Sequence, residues 1–239
     1  MTQERDWKRI RERLALQLPA RVHCRETPDF EWTEMTRLIN VTPFGAGFTL
    51  KRPTEKGRLL HLTIPMPRQL RVFDHVEDQY RIWAIVRHIR SKTTGKEPVF
   101  DVGVAFIGKR APASYEAQPW KRYDVSFNSA EQLATINETP RVESTDNRQH
   151  TRHNIAVDMC LELVDQNSGV ITTEHTVTEN ISAQGATLFT TLDIPVGRLV
   201  RVTSEQYRTT AYAAIRSRTT GADGVPRIHV EFIDKEWPL

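Results

Sequence analysis

The sequence predicts an all-β chain made of two tandem copies of one domain, and three observations lead there. The first is a long-range repeat. At a shift of 140 residues Thr33-Glu34-x-Thr36-x-x-x-Asn40 falls on Thr173-Glu174-x-Thr176-x-x-x-Asn180, Gly45 on Gly185, and Gly57-Arg58-Leu59 on Gly197-Arg198-Leu199. At a shift of 126, R-S-K-T-T-G from Arg90 meets R-S-R-T-T-G from Arg216, and Phe106-Ile107 meets Phe232-Ile233. One long period means a duplicated domain, whereas a solenoid needs several short ones. The second observation is period-two alternation in both copies. The third is the Gly, Pro, Asn or Asp that separates the alternating runs.

In chain order, Leu16, Leu18, Ala20 and Val22 open the first copy as a strand with one face in a core. Their counterparts are Ile155, Val157, Met159 and Leu161. Further strands are predicted at 32–39, 59–64, 82–89 and 99–107, with partners at 171–178, 199–203, 211–216 and 227–233. The 14-residue difference between the two shifts marks an insertion around 65–76, which reads as a longer loop. Between the copies a polar stretch holds Pro112, Pro119 and Pro140, and Ser129 is placed to N-cap a short helix over 129–135. The division is therefore an N-terminal domain at 1–110, a linker with one short helix at 111–146, and a C-terminal domain at 147–239. Short strands of this spacing suit an antiparallel barrel or sandwich in each copy.

Composition removes several function classes. With 33 basic against 30 acidic residues, the net charge of +3 makes no bulk electrostatic case for a dedicated nucleic-acid binder. The two cysteines, Cys24 and Cys160, form neither a CxxC nor a metal-type cluster, and read as thiols in a reducing cytoplasm. The longest apolar runs, 82–86 and 211–215, fall far short of the roughly 20 residues of a membrane helix. The charged N-terminus lacks the apolar core of a signal peptide, so a soluble cytoplasmic protein without membrane insertion is expected. No Walker loop, G-x-G-x-x-G, H-E-x-x-H or G-x-S-x-G is present. Neither an enzyme, a metal nor a cofactor is expected.

Two short patterns recur in register in both copies. Arg148-Gln-His-Thr-Arg152 precedes the first strand of the second copy, and Asn180-Ile-Ser182-Ala-Gln-Gly185 follows about thirty residues later. The first copy carries Arg9-Ile-Arg-Glu-Arg13 and Asn40-Val-Thr42-Pro-Phe-Gly45. Two arginines four apart usually mean a solvated face, as at Arg5/Arg9 and Arg21/Arg25. Placement within the repeat is what selects Arg9/Arg13 and Arg148/Arg152. Each guanidinium offers a planar fork that suits a phosphate or the O6/N7 edge of guanine, and it can stack on a base. Asn and Ser two residues apart lie on the same side of an extended strand and can meet a base's polar edge. Gly185 permits positive φ or a close backbone approach. His150 and His153 flank Arg152 as ordinary loop residues, and Trp237 packs on a barrel end or faces the ligand.

Together, R-x-x-x-R, a strand, a second strand and then (D/N)-x-S-x-x-G resemble the PilZ domain of bacteria. The resemblance covers nearly all of 147–232 and, more loosely, 8–107. It implies a six-stranded antiparallel barrel in each copy and cyclic di-GMP as ligand. Carried onto this chain, Arg148 and Arg152 would grip phosphates and guanine, Asn180 and Ser182 would hydrogen-bond a guanine edge, and Gly185 would shape the loop. A weaker second site would comprise Arg9, Arg13, Asn40, Thr42 and Gly45. There the first copy departs from the pattern, with threonine for serine and Pro43-Phe44 where the second copy has Ala183-Gln184. The expected function is a cyclic di-GMP receptor that relays the signal through a change of shape or protein partner. The alternatives are a ligand-free adaptor for other proteins and a small-barrel binder of single-stranded nucleic acid.

Overall fold

The computed structural model describes residues 15–94, 97–128, 133–138, 151–167 and 169–239. In the first copy the alternating runs become β1 (Pro19–Thr27), β2 (Phe30–Thr42), β3 (Gly45–Leu50), β4 (Leu59–Ile64), β5 (Tyr80–Thr94) and β6 (Glu97–Gly108). They close into an antiparallel barrel in the order β1-β2-β3-β6-β5-β4, with β4 returning to β1. After β7 (Tyr123–Asn128) and β8 (Leu133–Glu138), the second copy contributes β9 (Asp158–Val164), β10 (Val170–Ser182), β11 (Gly185–Phe189), β12 (Leu199–Ser204), β13 (Thr209–Thr220) and β14 (Pro226–Phe232). These form a second closed barrel with the same strand order. Closure leaves neither sheet an unpaired edge. Alternate residues point inward, so Val22, Phe48, Leu62 and Ile82 fill one interior, and Leu161, Leu188, Val202 and Ile228 the other. Among the described residues no helix is long and apolar enough to cross a membrane.

The expected linker helix is corrected by the structure. Residues 133–135 belong to β8, which pairs with β7 from Tyr123↔Glu138 to Asn128↔Leu133, while Ser129 lies outside the described residues. The reason is tertiary. Tyr123 and Val125 alternate toward the flank of the first barrel and pack on Leu59, Ile85 and Tyr115, whereas a seven-residue helix has too few hydrogen bonds to stand by itself. The insertion after β4 is a loop with one 3-10 turn, Arg68–Leu70. Arg71 anchors it by donating to the carbonyls of Met66 (2.8 Å) and Asp78 (2.8 Å).

Strand pairing also corrects the register of the second sequence match. It sets Ile85 against Ala214 and Val86 against Ile215, so the bulged Arg87 corresponds to the bulged Arg216. The repeated R-S-x-T-T-G hexapeptides are therefore three residues out of structural step. β5 runs three pairs further into its hairpin than β13 does, which restores the common register in β6 and β14.

The two barrels meet through buried charge. The Gly-Arg-Leu motif explains itself here: Gly57 and Gly197 adopt φ of 87° and 94°, a conformation that favours glycine. Each turn sends its arginine into the junction. Arg58 Nη2 donates to Gly197 O (3.2 Å) and Nη1 to Glu26 O (3.3 Å), while Arg198 pairs with Glu26 (3.3 Å) and lies 3.2 Å over the Phe30 ring. Glu55 accepts from both Arg58 and Arg216, joining the first barrel to β13. Arg216 also bonds Glu231 (2.7 Å), which in turn pairs with Arg122 (3.1 Å) before β7. Buried ions are stable only when paired in this way.

Candidate functional site

The described candidate residues of the second copy, Arg152, Asn180, Ser182 and Gly185, lie where β10 turns into β11. β10 carries a bulge between Thr178 and Asn180, after which Asn180, Ile181 and Ser182 pair with Thr187, Ala186 and Gly185. Ile181 is fully buried in the barrel interior. Alternation therefore turns its neighbours Asn180 and Ser182 away from the interior, where Asn180 is half-buried and Ser182 is buried. The segment before β9 is tied to this strand by a two-bond bridge: His153 N donates to Ile181 O (2.8 Å) and Ile181 N to His153 O (3.0 Å). Arg152 is exposed and adjoins that bridge, which sets it beside Ser182 on the outward side. Arg148, together with Arg9 and Arg13 of the first copy, lies outside the described residues.

Gly185 does its work by close approach and not by positive φ. A Cβ there would collide with Val230 O on β14, and a Cβ on Gly45 would collide with Val104 O on β6. The hydroxyl at the third motif position is a turn constituent in both copies. Ser182 Oγ donates to Gly185 O (3.2 Å), and Thr42 Oγ1 donates to Gly45 O (3.3 Å) while accepting from Phe44 N (3.2 Å). With its proton committed, Ser182 Oγ offers a ligand its lone pairs.

Sequence reasoning missed the residues that hold Asn180. Thr187 Oγ1 donates to Asn180 Oδ1 (3.2 Å) and meets His229 Nδ1 (3.0 Å), and His229 Nε2 meets Thr219 Oγ1 (3.2 Å). With Oδ1 engaged, the Asn180 amide keeps its NH2 as a donor. Burial lowers the His229 imidazole below its ordinary range, and Arg152 pushes the same way. Nearby, Arg227 pairs with Glu179 (2.8 Å) and Asp223 (2.8 Å) and covers the Phe189 ring at 4.7 Å. The repeat could have flagged this set, because the first copy has Gly47 and Gly103 where the second has Thr187 and His229. On that barrel Asn40 lies over Gly47, and the His88 ring covers Gly103 so closely that a side chain there would collide with it.

Trp237 is buried against the core of the second barrel. It stacks on Phe232 at 5.1 Å, and its backbone N–H bonds Ala183 O (2.8 Å), so the C-terminal segment props the β10–β11 turn from beneath. Arg25, read as part of a solvated pair, is structural: it donates to Pro28 O (2.8 Å) and pairs with Glu116 (3.2 Å). A separate groove along β9, the middle of β10 and the end of β12 is lined by Asp158, Cys160, Glu162, His175 and Glu205, with no Lys or Arg, and does not suit an anion. Among the described residues no three His, Cys, Asp or Glu are grouped to hold a metal.

Residues 146–236 match the family model of the PilZ domain. No curated protein matches the chain. Among solved structures, the Bacillus subtilis inhibitor of motility (MotI/DgrA) is similar at 12% identity, covering 93% of this chain and 90% of that one, with a TM-score of 0.31. The Borreliella burgdorferi PlzA protein in complex with c-di-GMP is similar at 9% identity, 94% and 84% coverage and a TM-score of 0.30. YcgR from Escherichia coli in complex with c-di-GMP gives 12% identity, 91% and 76% coverage and a TM-score of 0.29. At such identities and scores, likeness speaks to neither the ligand nor the mechanism of this chain.

Proposed function

We propose that this chain, whose residues 146–236 match the family model of the PilZ domain, is a cytoplasmic cyclic di-GMP receptor, a binding protein and not an enzyme. The ligand lies on the outer face of the second barrel, between the Arg148–Arg152 loop and the strand end bearing Asn180, Ser182 and Gly185. The observation that carries this reading is the His153–Ile181 bridge, which brings the segment bearing Arg152 against that strand end. An amide donor next to a hydroxyl acceptor matches guanine, whose O6 accepts beside an N1–H that donates. Arg152 adds a fork for a phosphate or for O6 and N7. The reading keeps the division into an N-terminal domain at 1–110, a linker at 111–146 and a ligand-binding domain at 147–239.

Signal relay follows from what surrounds the site. Without ligand, Arg148 and Arg152 repel one another, and an anion draws them together over the barrel face. Gly185 pairs directly with Glu231, and Glu231 holds Arg216 and Arg122 at the junction with the first barrel. Closure of the arginine loop is thereby coupled to the inter-barrel contacts and to a downstream protein partner. Isothermal titration with cyclic di-GMP tests the reading, with saturable binding expected in the parent and weakened about ten-fold or more in Arg152→Ala. In the first copy Asn40 lies over Gly47 and His88 over Gly103, and Thr42-Pro43-Phe44 stands where the second copy has Ser182-Ala183-Gln184, so we assign it the weaker site, Arg9, Arg13, Asn40, Thr42 and Gly45. Absence of binding in the parent would favour the adaptor alternative.

A further inference from the structure

The chain of hydrogen bonds from Asn180 through Thr187 and His229 to Thr219 has a direction. Thr187 has one hydroxyl proton, and the carboxamide of Asn180 has a donor end and an acceptor end. Two polarities satisfy every bond. In the first, His229 Nδ1–H donates to Thr187, Thr187 donates to Asn180 Oδ1, and the amide NH2 faces the ligand. In the second, Asn180 donates to Thr187, Thr187 donates to His229 Nδ1, and the amide oxygen faces outward. A protonated imidazole carries hydrogen on both nitrogens and permits only the first. We propose that His229, acting through Thr187, is a positioning residue that sets which end of the Asn180 amide faces the ligand, and so tunes guanine selectivity with pH.

This inference rests on the proposed ligand site and adds a control element to it. The Thr187–Asn180 Oδ1 bond is the first polarity, with the amide NH2 left as donor. That end suits guanine O6 and opposes the N6–H2 that adenine carries at the same place once the arginines hold the phosphates. The second polarity sets oxygen against O6, lone pair to lone pair, and suits adenine better. Every element packed around the ring contributes. The segment before β9 brings Arg152, β10 brings Glu179, and β14 brings Arg227, with Glu231 two residues on and engaged by Arg216 and Arg122. Strands β11 and β13 bring the uncharged Thr187 and Thr219. Burial and the two arginines place the ring's titration below the ordinary imidazole range, against Glu179. The first barrel is the internal contrast, because Gly47 and Gly103 leave Asn40 without this relay.

The test uses the whole chain and two readouts. The Asn180 side-chain amide signal is followed by NMR from pH 5 to 8 without ligand, and affinities for cyclic di-GMP and cyclic di-AMP are measured over the same range. The charge on His229 attracts the phosphates of both ligands alike, so the ratio of affinities isolates the amide. In the parent the Asn180 signal tracks the His229 titration, and the preference for cyclic di-GMP falls on the order of five-fold as the ring deprotonates, the effect of one hydrogen bond. Thr187→Ser keeps the hydroxyl and both behaviours. Thr187→Val and His229→Phe lose both, with unfolding midpoints recorded to show that each variant is folded. An Asn180 signal that ignores the ring, or a Thr187→Val protein with the parent's selectivity profile, overturns the relay. A working relay in a protein that binds no cyclic di-GMP at any pH overturns the proposed function instead.

Discussion

Glu55→Gln is expected to be the most damaging conservative substitution in the chain. Glu55 is buried between Arg58 and Arg216 and joins the first barrel to β13. Burial alone would raise its carboxyl, but Arg58 and then Arg216 outweigh burial and hold it at about 2, against 4.5 for a free glutamate. At roughly 1.4 kcal/mol per pH unit, that difference stabilises the folded state by about 3 kcal/mol at neutral pH. A loss of about 3–5 kcal/mol is also usual when one partner of a buried pair is removed and the other is left charged. Glutamine keeps the size and one carbonyl acceptor, so the loss reports charge and not a cavity. For a chain of this length it corresponds to a fall of roughly 6–12 °C in unfolding midpoint. The sign with pH follows from the depressed folded value. The stabilisation is full above 4.5, declines as pH falls, and is gone below about 2. Urea unfolding of parent and variant at pH 7, 5 and 3 measures it, with the gap between them constant from pH 7 to 5 and narrowing at pH 3. A variant within 1 kcal/mol of the parent at pH 7, or a gap that does not narrow, would refute the reasoning.

Three further outcomes follow from the site. Arg148→Ala, Arg152→Ala should abolish tight cyclic di-GMP binding, each single change costing about ten-fold or more; Arg9→Ala, Arg13→Ala should leave most of it, and the exposed Arg21→Ala should change nothing. Titration calorimetry decides, and greater damage from the first-copy pair would make the N-terminal barrel the sensor. Arg148→Lys keeps the charge and loses the planar fork, so most affinity and the discrimination against cyclic di-AMP should go; a lysine variant that stays guanine-selective would reduce the arginine to a point charge. Gly185→Ala forces a methyl against Val230 O and should cost about 1–3 kcal/mol in denaturant unfolding with or without ligand, whereas an unchanged midpoint would show that β11 and β14 can part freely.

Much of the architecture was legible before any coordinates. Period-two alternation finds strands because a strand that lines a barrel must bury every second residue, and ten of the twelve barrel strands lie on such runs. The remaining two, β3 and β11, begin at Gly45 and Gly185. A glycine after Asn-x-Ser reads as turn, yet here it is the first strand residue, admitted because the facing carbonyl stands too close for a Cβ. The linker helix failed for a related reason, since local capping cannot outweigh the apolar flank that Tyr123 and Val125 find on the first barrel.

By itself, then, the sequence determined the duplication, the strand positions and the register of Asn40 with Asn180 and Ser182 with Thr42, because these depend on periodicity and on residue types at fixed offsets. Only the tertiary structure decided what meets across strands. It placed Thr187 and His229 behind Asn180, although they are 7 and 49 residues away from it, because barrel closure sets β11 against β10 and β14 against β11. It turned the repeated Gly-Arg-Leu from a marker of duplication into the buried charged junction of the two barrels, since a desolvated arginine requires partners that lie far off in sequence. Charge pairing across such distances leaves no local period to read.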